Sequence, residues 1–545
     1  MRPISRDLRC RLEITHLSAL FFGLVIGSSC RADCFVRADG NDSAAGTSRK
    51  TAWRSIERVN RAALHPGDRV LFQAGQTFTG NLQLTAIHGG TVKNPVIIGS
   101  FGHGRATLFA GTGTGVSVEN AGGIAIQNLI VLGAGVTNNT GYGIFCDNTL
   151  TNATMLDYLS IENVEVSGFG RHGIMVSGAP AGFRQVRVSR CVMHDNLRGG
   201  MEIAGRLPWN IPQHVHANVR VTHCRAYDNP GDPNYHRGHS GSGIVLYQVD
   251  GGLIDRCQAW NNGAANGSGT GGPVGLWTCA SRHVTIQHCE SFGNRTTGAD
   301  GGGFDIDGGC QDCVLQYNYS HDNDGPGLMV YTYPYECRLD SGNVVRFNIS
   351  ANDSRKSRRY AGLWVRNDGN GMTGVEVYNN TVVVGPWTDQ AAAVCGNGVE
   401  ARFRNNIFLG AGGAVPLRVE NPHNKLRFEN NLYWRGGSPV HVVWGQETFA
   451  TLEDWRRATG AEVLEGHPLG FAEDPGLVSI HDAVVHPKQL VGIADLRDFR
   501  PLPGSPAKQG GLNLRNRFGD GFAADDFFGR RLSSDGPWPL GAFTE

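Results

Sequence analysis

From about Leu82 to Trp434 the sequence alternates short apolar runs with turns rich in Gly, Asn and Asp. A phrase closing each run recurs at Cys191, Cys224, Cys257, Cys289, Asn318, Asn348, Asn380, Asn406 and Asn431, at intervals of 33, 33, 32, 29, 30, 32, 26 and 25 residues. A near-constant period with variable gaps marks a solenoid, in which each coil buries its apolar side against its neighbours. The pattern predicts an all-β stack, each repeat running strand, Asn/Asp/Gly turn, second strand and longer loop.

The strand after each turn opens on glycine, which aligns seven segments: Gly173–Ser177, Gly200–Ala204, Gly243–Tyr247, Gly275–Cys279, Gly303–Asp307, Gly327–Tyr331 and Gly362–Arg366. Strand side chains alternate between faces. The second and fourth positions (Ile174/Val176 through Phe304/Ile306 to Leu363/Val365) are nearly all apolar and are expected to point inward. The third and fifth then point outward: Met175/Ser177, Glu202/Ala204, Val245/Tyr247, Trp277/Cys279, Asp305/Asp307, Met329/Tyr331 and Trp364/Arg366, with Phe145/Asp147 on an earlier coil.

The periodic stretch has flanks. Residues 1–32 carry Arg2, Arg6, Arg9 and Arg11 before the apolar run Leu17 to Gly27, and they read as an export signal. Residues 33–80 place Trp53, Ile56, Val59 or Asn60, and Leu64 at helical spacing before Pro66-Gly67-Asp68, which predicts a short N-terminal capping helix and then a strand over Arg69 to Phe72. The β stack is assigned to 81–470, and residues 471–545 lose the period and form an irregular C-terminal cap.

Composition refines this picture. The 77 glycines imply a backbone that turns often. With 49 basic and 49 acidic residues the formal charge is zero, so no nucleic-acid or membrane field is implied. No later segment is long and apolar enough to span a bilayer. Cys191, Cys224, Cys257 and Cys289 share one repeat position, so they are expected to stack inside the coils and not to form a disulfide framework. Asp195, Asp228 and Asp322 are read as turn residues, and the phrase asparagines as a ladder between coils.

The opening phrase Phe35-Val36-Arg37-Ala38-Asp39-Gly40-Asn41-Asp42 and the closing phrases Asp498-Phe499-Arg500-Pro501, Gly504-Ser505-Pro506-Ala507 and Pro539-Leu540-Gly541-Ala542-Phe543 resemble the ends of secreted right-handed parallel β-helix proteins. This is the fold of pectate lyases, polygalacturonases and related polysaccharide enzymes. The resemblance implies a right-handed β-helix, and it implies a secreted or periplasmic, monomeric protein acting on a polysaccharide or oligosaccharide. It does not fix the reaction, because one fold hosts many chemistries.

The outward columns supply the candidate site. Two aspartates on one strand are disfavoured by propensity. Asp305 and Asp307 are two residues apart, so their Cα atoms are expected ~6.8 Å apart on one face. Inverting glycosidases hold their acid and base about 6.5–9.5 Å apart. Asp300 adds a third carboxylate, and His239 precedes an aligned strand from where it can overhang the groove. Tyr247, Trp277, Tyr331 and Trp364 flank the pair over roughly 19 Å and suit the C–H faces of sugars. Glu202, three coils from Asp305, and Arg366 and Arg359 are expected to bind substrate. His214 and His216 have the spacing of strand metal ligands, but an HxH without a third ligand is a weak zinc signal.

Three readings follow. The first is a glycoside hydrolase using the paired carboxylates, with no cofactor required. The second is a calcium-dependent lyase on a uronate polymer, with Asp300, Asp305 and Asp307 as ligands and Arg366 or Lys356 as base. The third is a non-catalytic carbohydrate-binding or envelope protein. The pair-like Asp305-Ile306-Asp307 echoes polygalacturonases, but Gly238-His239-Ser240 precedes the aspartates and no Arg-Ile-Lys follows. Six lysines in the whole chain, none in the outward columns, favour hydrolysis.

Overall fold

The computed structural model describes residues 32–478 and 493–544. Three long sheets of 15, 14 and 13 strands run the length of the stack, and each coil adds one strand to each in turn. Chain order and sheet order coincide, and neighbouring strands pair in parallel except at the C-terminal end. The interior is one continuous apolar column. Ile174, Val176, Met201, Ile203, Ile244, Leu246, Leu276, Phe304, Ile306, Leu328, Val330, Leu363 and Val365 all belong to it, as the alternation predicts.

Amides hold the turns. The backbone N–H and side-chain amide of Asn318 both donate to Oδ1 of Asn348, each at 3.0 Å. The same pattern continues through Asn380 and Asn406 to Asn431. Towards the N-terminus the ladder changes element but keeps its logic: the N–H groups of Cys224 and Cys257 donate to the sulfurs of Cys257 and Cys289, and Cys289 N–H donates to Asn318. These cysteines are buried and unbridged, in the stacking role their spacing predicts.

A second ladder runs through Asn196, Asn229, Asn262, Asn294 and Asn323. The adjoining Asp195, Asp228 and Asp322 take positive φ at the bends. Both ladders end on an acid. Asn323 donates to Asp353, and Asn431 donates to Glu462. Each rung donates toward the C-terminus, so the last rung needs only to accept.

The ends are covered as an open stack requires. The helix Ile56–Asn60 (α1), N-capped by Ser55, buries Ile56 and Val59. The strand Asp33–Val36 already pairs with Arg69–Gln73 in the 15-stranded sheet, so the stack begins at residue 33 and not at the predicted boundary of 81. At the far end an antiparallel hairpin, Val442–Trp444 with Glu447–Phe449, precedes the helix Leu452–Thr459 (α2). Trp455 of α2 sits edge-on against Phe428, Tyr433 and Trp444. The periodic reading did not foresee this helix. The C-terminal extension lays Leu496, Phe499, Phe527, Ala542 and Phe543 against Tyr319, Ile349, Ala351, Val383 and Leu409 on the outside of the 13-stranded sheet.

The expected export signal lies, apart from Ala32, outside the described residues. Among the described residues no helix is long and apolar enough to cross a membrane.

Candidate active site

The register of the 14-stranded sheet sets the outward column directly. Glu202 pairs with Val245, Val245 with Trp277, Trp277 with Asp305, Asp305 with Met329, and Met329 with Trp364. Glu202 is therefore three coils from Asp305, as the sequence implies. Inward alternation forces these side chains outward, yet they do not meet open solvent. Trp277, Cys279, Met329, Tyr333, Tyr360 and Trp364 form a second apolar cluster, separate from the interior column, with Trp209, Tyr247 and Tyr331 packed against it.

Two tryptophans thus differ from the expectation of open sugar platforms. Trp277 is 6% exposed and Trp364 4%. The indole N–H of Trp277 donates to Ser242 Oγ, and its ring meets His239 edge-on at 4.7 Å. Tyr360 stands edge-on to Trp364 at 5.1 Å, and Tyr331 stacks on it at 5.8 Å. Segments on either side of these strands, carrying His239, Tyr333 and Tyr360, fold back over the face and occupy what a bare strand would offer. Tyr247 and Tyr331 remain half-buried.

Asp300, Asp305 and Asp307 do come together, and each meets different partners. Asp305 is 2% exposed, and its Oδ1 has no hydrogen-bond partner. Burial lifts its carboxyl well above the usual range, and the neighbouring Asp307, Asp300 and Asp340 add to the lift. Asp307 accepts from the Tyr333 hydroxyl at 3.0 Å and from Gly308 N–H at 2.9 Å. Burial nevertheless outweighs these donors and pushes Asp307 up to about 7. Asp300, at a positive φ of 54°, accepts from the Tyr360 hydroxyl at 3.0 Å and from Gly272 N–H at 2.9 Å. Burial raises it too, against both donors. None of the three forms an ion pair among the described residues.

The turn after Asp307 is clasped by a segment that the periodic reading passed over. Asp340 accepts from the N–H groups of Gly309 and Cys310, each at 3.1 Å. A Cβ on Gly308 would lie 2.7 Å from the Tyr333 ring, and one on Gly309 would lie 2.6 Å from Glu336 Cδ. Residues 333–340 therefore fit only a glycine turn. Their signal in the sequence was the Tyr-Pro-Tyr-Glu run, which has no counterpart in other repeats.

The remaining candidates gather elsewhere on the same face. Glu202 pairs with His172 at 3.0 Å. Burial opposes its charge, but His172 prevails and holds the carboxyl down at about 2. His239 stands with this group: burial lowers it, and the charges acting on it are those of Glu202 and His172. Arg366 is bound to Asp368 at 2.7 Å and lies 5.6 Å over the Trp364 ring. Its partner acids raise its pKa further against burial, which is the opposite of what a base needs. The amine of Lys356 donates to the Thr296 carbonyl, which spends the other candidate base on the loop backbone. Arg359 lies 5.9 Å over Trp364, near Asp300. His214 and His216 do not form a metal pair. His216 is buried, stacks on Phe183 and accepts from its N–H. Among the described residues no cluster of three or more His, Cys, Asp or Glu is arranged to hold a metal ion.

The family model described as right handed beta helix region matches residues 151–344. The chain is a right-handed β-helix. This β-helix is 22% identical over 510 residues to a lacto-N-biosidase of Bifidobacterium longum subsp. longum, an alignment covering 73% of this chain and 30% of that relative. Its fold is similar to the crystal structure of GH136 lacto-N-biosidase from Eubacterium ramulus, with a TM-score of 0.51 at 16% identity over 71% of this chain and 65% of that one. The selenomethionine derivative of the same protein gives 0.50 at 15% identity. At these identities the structural likeness speaks for the fold alone.

Proposed function

We propose that this β-helix is a carbohydrate-active enzyme that hydrolyses a glycosidic bond at the Asp300–Asp305–Asp307 cluster. The observation that carries the reading is the cluster itself: three carboxyls without a paired cation, raised in pKa and faced by unequal numbers of donors. Such environments divide acid from base. Asp305 and Asp307 retain a proton near neutrality and serve as the source for the leaving oxygen. Asp300, held by the Tyr360 hydroxyl and the Gly272 N–H, serves as the partner carboxyl that directs water to the sugar C1. The relative named lacto-N-biosidase supports a glycosidase over a lyase. So does the engagement of Arg366 with Asp368 and of Lys356 with the Thr296 carbonyl, which occupies both candidate bases.

The test is a glycan panel assayed with the wild type and with D300N, D305N and D307N. New reducing ends without ultraviolet absorbance are expected, with turnover lost in D307N while binding persists. An unsaturated, ultraviolet-absorbing product that disappears with chelator would instead establish a calcium-dependent lyase. Binding without turnover in every case would establish a binding protein.

A further inference from the structure

Trp277 and Trp364 are covered, so the aromatic surface open to solvent beside the acids lies elsewhere. Tyr335 is 56% exposed and Leu339 41%. Tyr335 stacks on Tyr333 at 4.7 Å with an interplanar angle of 16°. Tyr333 is the residue whose hydroxyl donates to Asp307. One ring therefore separates the exposed face from the proposed acid. Trp209, from a different loop, meets Tyr247, Tyr333 and Tyr335 edge-on at 5.4, 5.2 and 5.2 Å.

These two loops are 120 and more residues apart in sequence, yet they are tied together from beneath. Glu336 and Arg338 form a buried ion pair at 2.9 Å. Arg338 also donates to the carbonyls of Ile211 and Gln213, at 2.6 and 3.0 Å. Asn370 donates to the Glu336 carbonyl. A buried charge pair is a costly way to stabilise a loop, because desolvation offsets much of its attraction. What it does well is hold geometry. Here it fixes an exposed ring and an indole at one angle before any ligand arrives, and such pre-ordering spares a ligand the cost of arranging them.

We infer that Trp209 and Tyr335 form a sugar-binding lip, a subsite that stacks one neutral pyranose ring next to the carboxylate cluster. The inference rests on the placement of the reacting bond at Asp307. Aromatic faces suit the C–H face of a pyranose. The adjoining wall carries Asp300, Asp305, Asp307 and Asp340 with no cation paired to them, so it offers a uronate carboxylate no partner of opposite charge. The lip takes over the role expected of Trp277 and Trp364, and it explains why a tyrosine in a surface loop is left open yet anchored by buried charges.

The experiment uses the full chain with W209A, Y335A, Y335F and D307N. Calorimetric binding and initial rates are measured on neutral gluco-, xylo- and N-acetylhexosamine-containing oligosaccharides and on oligogalacturonates. Y335A and W209A are expected to weaken binding and raise KM about tenfold with kcat little changed. Y335F, which keeps the ring, should bind as the wild type does. Y335A changes an exposed side chain, so it remains informative if W209A fails to fold. Unchanged Kd and KM in Y335A overturns the lip, as does binding of oligogalacturonates in preference to every neutral glycan or no binding of any neutral glycan. D307N separates the two ideas: lost turnover with intact binding upholds the catalytic reading whatever the lip variants do. Intact turnover in D307N with weakened binding in Y335A upholds the lip alone.

Discussion

Asp305 lies on the strand Gly302–Ile306 and Asp307 directly follows its end, and the two differ mainly in what touches them: an orphaned oxygen on the first, a tyrosine hydroxyl and a backbone amide on the second. If Asp307 delivers the proton, Asp307→Asn lowers kcat by about 10²–10⁴-fold with Kd retained. The acid must be protonated to act, so the rate falls as pH rises through about 7, the value to which burial lifts Asp307. The Tyr333 hydroxyl favours the ionised form. Tyr333→Phe should therefore raise the pKa of Asp307 and move the falling limb of the pH–rate profile to higher pH. A limb that stays in place would show that Tyr333 does not hold Asp307. At this scale the sequence revealed the acids, because two aspartates in a strand defy propensity and alternation assigns their face. It marked Tyr333 and Glu336 only as an unusual run and could not reveal what they, or Arg338, hold. Their partners lie across the chain, as with Arg338 and the Ile211 carbonyl 127 residues away, and no period links them.

The coil is a unit held by amide ladders, and its chemistry is directional. Asn380 accepts from both the backbone N–H and the side chain of Asn348, and it donates to the carbonyls of Val345 and Tyr378. Asn380→Ala strands several buried groups at once and should cost about 2–4 kcal/mol in a denaturant titration. The terminal acids behave differently. Burial raises Asp353 to about 6. A folded value above the unfolded one means that its contribution is full below the unfolded pKa and is lost as pH rises through about 6. Asp353→Asn removes that loss. Ser350 now donates to Asp353, but the Gly362 carbonyl at 3.2 Å can take its proton instead. Ser291 already bonds this way, accepting from Asn294 and donating to Gly303. The variant should match the wild type near pH 4 and exceed it by about 2–3 kcal/mol at pH 8. The first ladder was legible because its residues share a fixed place after each apolar run. The second was hidden in turn phrases, where asparagine has a sufficient local reason to be present. Helix α2 has its own capping signals but no part in the repeat.

For the whole molecule, several buried acids pull stability in one direction. Burial lifts Asp307 to about 7, Asp340 to about 8 and Glu462 to about 7. Burial also lowers His214 and His216 to about 4, and these add stability as pH rises toward the ordinary histidine value. The two effects oppose each other in acid. Above about pH 6.5 these two histidines add little further, while the raised acids still titrate, as does His321, which Asp322 and Glu290 hold raised against burial. The melting temperature should therefore fall between pH 6.5 and 8.5, and a flat or rising profile there would contradict the protonated state of these carboxyls. The stack as a whole was the most legible feature, since one period organises three sheets. The loops that roof the 14-stranded sheet were the least, because each is unique to its coil. The polarity of the ladders bears on how such a chain can change length. A rung that accepts from the coil before and donates to the coil after is interchangeable with its neighbours. A complete coil can thus be duplicated or deleted between Cys224 and Cys257, where both ladders run on through like rungs, without altering the junction chemistry. Asp353 and Glu462 only accept, so each ends its series. The architecture lengthens by insertion from within and resists growth at its tip, which leaves the groove side free to acquire or lose subsites one coil at a time.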